Sequence, residues 1–247
     1  VYGPAVPDGV KVVVQSADPD QDFEALSARL GDGGLTGVAL ARRGTHACLT
    51  VPRAELGRLR AMLSAEFQGL RVMSEGARIE IFKEVGLPQQ VADDFGLSAM
   101  GGSHGIGHTR MATESAVTTL GAHPFSTGPD QCLVHNGSLS NHNRLRRRLR
   151  REGLPFETEN DTEVAAAYLS WRLKSGDRLD AALEAGLSDL DGFYTFVVGT
   201  ETGFGVVRDP IACKPAVMAE TDAWVAFGSE YRALAGLPGI SGARVWE

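Results

Sequence analysis

The chain has little of what several common function classes require. Its three cysteines, Cys48, Cys132 and Cys213, are widely spaced and cannot all pair, so no disulfide framework is expected. No apolar run approaches the roughly 20 residues of a membrane-spanning helix, and no signal peptide opens the chain. The expected setting is a reducing cytoplasm, away from membranes. Positive charge is scarce too: 24 Lys and Arg against 31 Asp and Glu give a net charge of −7, which argues against a general nucleic-acid binder. Four histidines, His104, His108, His123 and His135, have no cysteine or carboxylate at a recognised ligand spacing, so no metal is expected. A dinucleotide-binding glycine fingerprint and an iron–sulfur cysteine spacing are also missing, so redox chemistry is not expected of this chain. The start at Val1-Tyr2-Gly3, without Met, and the stop at Trp246-Glu247 read as the limits of a portion of a longer protein.

What is present suffices for a large core, with 43% hydrophobic residues in 247. The first 76 residues alternate regularly. Val10–Val14 reads as a strand, and residues 22–30 as a helix with Phe23, Leu26 and Leu30 on one face. Strands at 37–41 and 46–51 flank a short connection at Arg42–Thr45. A second helix carries Leu56, Leu59, Leu63 and Phe67, and Leu70–Met73 is a further strand. The order β-α-β-β-α-β predicts a ferredoxin-like module over 1–76, with a core over 77–247. In that core the pattern predicts a strand at Ile79–Val85, a short helix at Pro88–Phe95 and a flexible link at Gly101–Gly105. Two helices follow, near Asn141–Arg151 and Asp161–Ser175. The first holds a run of arginines with Leu145 and Leu149 at i, i+4, so it reads as an amphipathic helix with a solvated basic face. Strands are predicted at 192–198, 205–208, 216–218 and 224–227. Much strand beside a few helices makes the class α+β.

Four clusters stand out. They are His104-Gly-Ile-Gly-His108-Thr-Arg110-Met-Ala-Thr113, Gly121-Ala-His123-Pro-Phe125, His135-Asn136-Gly137 and Asn160-Asp161-Thr-Glu163. Singly each is weak, since Asn-Gly is a common hairpin turn and Asp-Thr-Glu a common helix start. In this order and spacing, with Arg208-Asp-Pro210 and Gly228-Ser-Glu230 downstream, they resemble the class II glutamine amidotransferases, a branch of the N-terminal-nucleophile hydrolases. The resemblance covers about residues 77–232.

The resemblance implies a four-layer α-β-β-α sandwich with the ferredoxin-like module as an insert. It implies that Arg110 pairs with the α-carboxylate of glutamine or a γ-glutamyl amide, a task suited to a bidentate guanidinium. Asp161 would hold the α-ammonium. The Asn136 side chain and the Gly137 N–H would form the oxyanion hole, and Thr113 and His123 would line the pocket. Family members begin with a cysteine whose own α-amine is the general base. Here no cysteine precedes Cys48, so that nucleophile is expected about 40–60 residues upstream of Val1. The alternative is an amidotransferase-like subunit without a nucleophile, with a binding, structural or sensing role in a glutamate-synthase-type complex. Other departures are Met111, where relatives mostly have an aromatic residue, and Ala212, where the segment Arg-Asp-Pro-x-Gly has glycine. Without an acceptor domain, and with phrases such as Asp191-Gly-Phe-Tyr-Thr-Phe-Val-Val, the chain is similar to the amidotransferase subunit of N-methylglutamate synthase. That resemblance implies glutamate-synthase-like partner subunits carrying FMN and iron–sulfur clusters, with no cofactor in this chain.

Overall fold

The computed structural model describes residues 1–110 and 117–246. On β1 (Gly9–Gln15), Val10, Val12 and Val14 turn one face toward α1 (Pro19–Arg29), where Phe23 and Leu26 meet them. β2 (Ala39–Arg43) and β3 (His46–Pro52) form a hairpin around Gly44, at φ +55. α2 (Leu56–Glu66) adds Leu59, Met62 and Leu63 to the same cluster, and β4 (Arg71–Gly76) completes the sheet. Its order, β2-β3-β1-β4, is antiparallel throughout and places both helices on one face, as a β-α-β-β-α-β unit requires.

The strand predicted at Ile79–Val85 does not form. Its alternation is real, with Ile79, Ile81 and Lys83 buried, but the amides find partners outside a ladder. The Ile79 N–H donates to Asp130 Oδ1 (3.0 Å), Ile81 N–H to Ser74 Oγ (3.2 Å) and Lys83 N–H to His46 Nε2 (3.5 Å). α3 (Pro88–Asp94) follows close to its predicted place. The link at 101–105 is held rather than loose: Ser103 N–H donates to Tyr2 O, and the His104 ring stacks on Tyr2 at 4.1 Å.

The second half begins with β5 (Phe125–Gly128) and β6 (Gln131–Leu139), followed by α4 (His142–Arg151), α5 (Asp161–Lys174) and α6 (Leu179–Asp189). β7 (Gly192–Thr200) and β8 (Gly203–Arg208) complete a sheet of order β5-β6-β7-β8. The helix α6 adds to the two read from the sequence. Its buried face offers Ala182 and Gly186, too small to stand out as a periodic apolar stripe. Tyr168, Tyr194 and Phe196 fill the core between this sheet and its helices. β9 (Val217–Glu220), β10 (Val225–Gly228), α7 (Tyr231–Leu234) and β11 (Arg244–Trp246) make a small annex, with sheet order β10-β9-β11.

Each of the two four-stranded sheets thus has helices on one face, and their opposite faces meet. Val13 and Met73 of the first sheet join Cys132 of the second, with Tyr2, Ile79 and Ile81 between. The layers run α-β-β-α, and the ferredoxin-like unit supplies two of them. Gly199 makes room for this contact, because a Cβ there would strike the Tyr2 ring. The carboxylate of Asp130, in the β5–β6 turn, also accepts the N–H groups of Ala77 (2.6 Å) and Arg78 (2.8 Å), just beyond β4. Among the described residues no helix is long and apolar enough to cross a membrane.

Candidate functional site

The site is organised by β6. Strand alternation points Leu133, His135, Gly137 and Leu139 toward the helices, and Cys132, Val134 and Asn136 toward the inter-sheet side. β5 pairs with β6 only up to Phe125–Leu133, so beyond that point the edge is open to other groups. The His135 N–H donates to His123 Nδ1 at 3.3 Å, and the Leu139 N–H to Asp161 Oδ2 at 2.9 Å. Since amides alternate along a strand, the N–H of Gly137 projects from the same edge, between the imidazole and the carboxylate. Gly137 has φ +138, and a Cβ there would run into the carbonyl oxygen of Phe193.

Three consecutive residues at the start of α5 do three different things. The cap is supplied one position earlier, by Asn160, whose side chain accepts the Thr162 N–H at 2.8 Å. That leaves Asp161 directed at β6 with its side chain 23% exposed. Thr162 Oγ1 lies 3.1 Å from His123 Nε2 and 3.2 Å from His135 Nδ1. Glu163 turns inward and accepts the N–H groups of Glu157 (2.7 Å) and Thr158 (2.8 Å), which holds the incoming loop.

Because His123 Nδ1 accepts a backbone N–H, its proton sits on Nε2 and is donated to Thr162. Burial, reinforced by neighbouring positive groups, drives the His123 pKa far below that of a free imidazole. Burial likewise lowers His135 to about 4, against the opposing pull of Asp161. At neutral pH both rings are uncharged. The ring of His108 stacks on His123 at 4.3 Å, and Arg110 is near enough to depress both imidazoles. Arg110 itself is exposed. Asn136 is half-buried and pairs across the ladder with Thr195, whose hydroxyl donates to Lys214 O at 3.3 Å.

Of the residues singled out in the sequence, Gly137, Asp161 and His123 converge on this edge, with Arg110 alongside; Asn136 is the neighbour of Gly137 on the strand with its side chain toward the inter-sheet side, and Thr113 lies outside the described residues. Thr162 and His135 belong to the same network and were carried inside two of the motifs without a role. Among the described residues, no three or more His, Cys, Asp or Glu side chains gather as for a metal ion. Burial raises the Cys48 thiol to about 11 and pushes Cys132 upward as well, while Cys213 is exposed. Asp209 of the Arg-Asp-Pro segment is a scaffold: it accepts the N–H groups of Tyr194 (2.8 Å) and Ile211 (2.9 Å).

Residues 108–236 match a family model described as a glutamine amidotransferase domain. Over its full length the chain is 62% identical to the glutamine amidotransferase-like protein GlxB of Rhizobium meliloti, and it covers 82% of that protein. It is 35% identical, over 53% of its length, to a glutamine–fructose-6-phosphate aminotransferase of Idiomarina loihiensis, of which it spans 21%. Among solved structures, the glutamine phosphoribosylpyrophosphate amidotransferase of B. subtilis, complexed with ADP and GMP, superimposes with a TM-score of 0.50 at 23% identity. That match covers 96% of this chain and 44% of the other. It bears out the layered fold.

Proposed function

This chain belongs to the glutamine amidotransferase family, and on that premise we propose that it binds glutamine, glutamate or a γ-glutamyl amide and activates the side-chain amide. The observation that carries this reading is the open edge of β6, where the Gly137 N–H is framed by His123 and Asp161. Asp161 receives the α-ammonium and Arg110 the α-carboxylate. The Gly137 N–H and the Asn136 amide hold the oxyanion that develops when a nucleophile adds to the amide carbon. Thr113 and His123 wall the pocket. The attacking thiolate is that of an N-terminal cysteine of the complete protein, whose α-amine moves the proton to the departing nitrogen.

In the finer reading, the ammonia released, or methylamine handled in the reverse sense, passes to a glutamate-synthase-like partner subunit bearing FMN and iron–sulfur clusters. The assembly is then of N-methylglutamate synthase type. Calorimetry with glutamate tests the pocket: Arg110→Ala and Asp161→Asn are each expected to weaken binding by about 2–5 kcal/mol. Affinities equal to the unsubstituted protein's would refute the assignment. Intact mass of the natively purified protein tests the nucleophile. An N-terminus other than cysteine would favour a binding subunit without amide-cleaving activity.

A further inference from the structure

Residues 117–124, which lead into β5 and carry His123, form no helix or strand of their own. His123 nevertheless meets Thr162 and the edge of β6 at hydrogen-bonding distance, so something else must hold it. The hold comes from the first half of the chain. Lys83, on the extended segment after β4, is 7% exposed. Its ammonium donates to Ala122 O at 3.0 Å and Leu120 O at 3.4 Å, and lies 4.8 Å from the centroid of the Phe125 ring. These contacts fall on both sides of His123. The next residue extends the grip: Glu84 accepts from the Thr119 hydroxyl at 2.9 Å and the Thr45 hydroxyl at 2.7 Å. The strap is itself tied to β3, since Lys83 N–H donates to His46 Nε2. Beside the amine is a cavity of about 120 Å³, bounded in part by Phe125, Glu157, Thr158 and Glu163.

A buried ammonium whose direct partners are carbonyl oxygens is a costly way to fill a core. We propose that Lys83 is a positioning residue, which fixes the 120–125 turn so that His123 meets Thr162 and β6. Through it the ferredoxin-like layer shapes the ligand pocket. The predicted effect on ligand binding rests on the reading given under Proposed function; the effect on the turn does not.

The test uses the full chain and two matched substitutions. Lys83→Met removes the donors and keeps the length. Lys11→Met removes another buried ammonium, paired with Glu80 at 2.5 Å, that touches nothing in the turn. Amide hydrogen exchange is followed at residues 119–125, and glutamate affinity is measured by calorimetry. Lys83→Met should accelerate exchange in the turn at least tenfold and raise the Kd for glutamate at least tenfold, while Lys11→Met lowers Tm without either effect. Lys83→Arg, with donors retained and space beside it, should recover part of the affinity. Should Lys83→Met fail to fold, Lys83→Gln, which is too short to span both carbonyls, takes its place. Unchanged exchange at 119–125, or equal changes in both methionine variants, would overturn the proposal. An unsubstituted protein that binds no glutamate would instead sink the pocket reading, leaving the exchange result to decide on Lys83.

Discussion

Ala212 stands at φ +56 and donates its N–H to Asp209. A left-handed alanine costs about 1–2 kcal/mol, and glycine returns about 0.4–1 kcal/mol of that through the freedom of the unfolded chain. Ala212→Gly is therefore expected to stabilise the protein by about 0.5–1 kcal/mol, read as a higher urea midpoint with an unchanged slope. Gly137 is the opposite case. Gly137→Ala must both hold a positive φ and push Phe193 O aside, so a loss of at least about 2 kcal/mol is expected, together with loss of glutamate binding. Retained affinity in a folded Gly137→Ala protein would show that the backbone at this position does not face the ligand.

The elements show which physical signals the sequence carries openly. The ferredoxin-like unit was legible because Val10, Val12 and Val14 repeat every second residue and Leu56, Leu59 and Leu63 every third or fourth. Residues 79–85 carried the same period-two burial without a ladder, because Asp130, Ser74 and His46 accept their amides. A burial pattern reports faces, not hydrogen-bond partners. Asn136, Gly137 and Asp161 stand out only through motif order, whereas the grip of Lys83 on Leu120 and Ala122 joins residues 37 and 39 apart in the chain and leaves no local trace. The Asp130 carboxylate is a comparable long-range joint. Asp130→Ala strands three amides beside the inter-sheet core and is expected to cost about 3 kcal/mol in urea unfolding. A change below about 0.5 kcal/mol would show that water satisfies those amides equally well.

At the scale of the molecule, stability depends on buried imidazoles that stay uncharged. His46 is lowered to about 4 by burial, as is His135, and His123 lies lower still. An unfolded histidine titrates near 6.5, so between about pH 6.5 and 4 the unfolded chain binds the extra protons. Stability is therefore complete above about pH 6.5 and falls on acidification, by up to about 1.4 kcal/mol per pH unit for each such histidine. Urea titrations at pH 7 and 4.5 should show this decline, and His46→Gln should make it shallower.

The alternation of β6 has one more consequence. His135 faces the helices and Asn136 the opposite sheet, so the strand works as a partition whose two sides are set by count alone. A single residue inserted between Val134 and His135 would exchange the faces of His135–Leu139 relative to Gln131–Val134, turning the imidazole to the wrong side and the Asn136 amide toward the helices. Such an insertion is expected to abolish both ligand binding and cooperative unfolding. The same residue added to the exposed turn at Asp222–Ala223 should leave both intact. Along β6, parity decides which side chains face the helices and which face the opposite sheet.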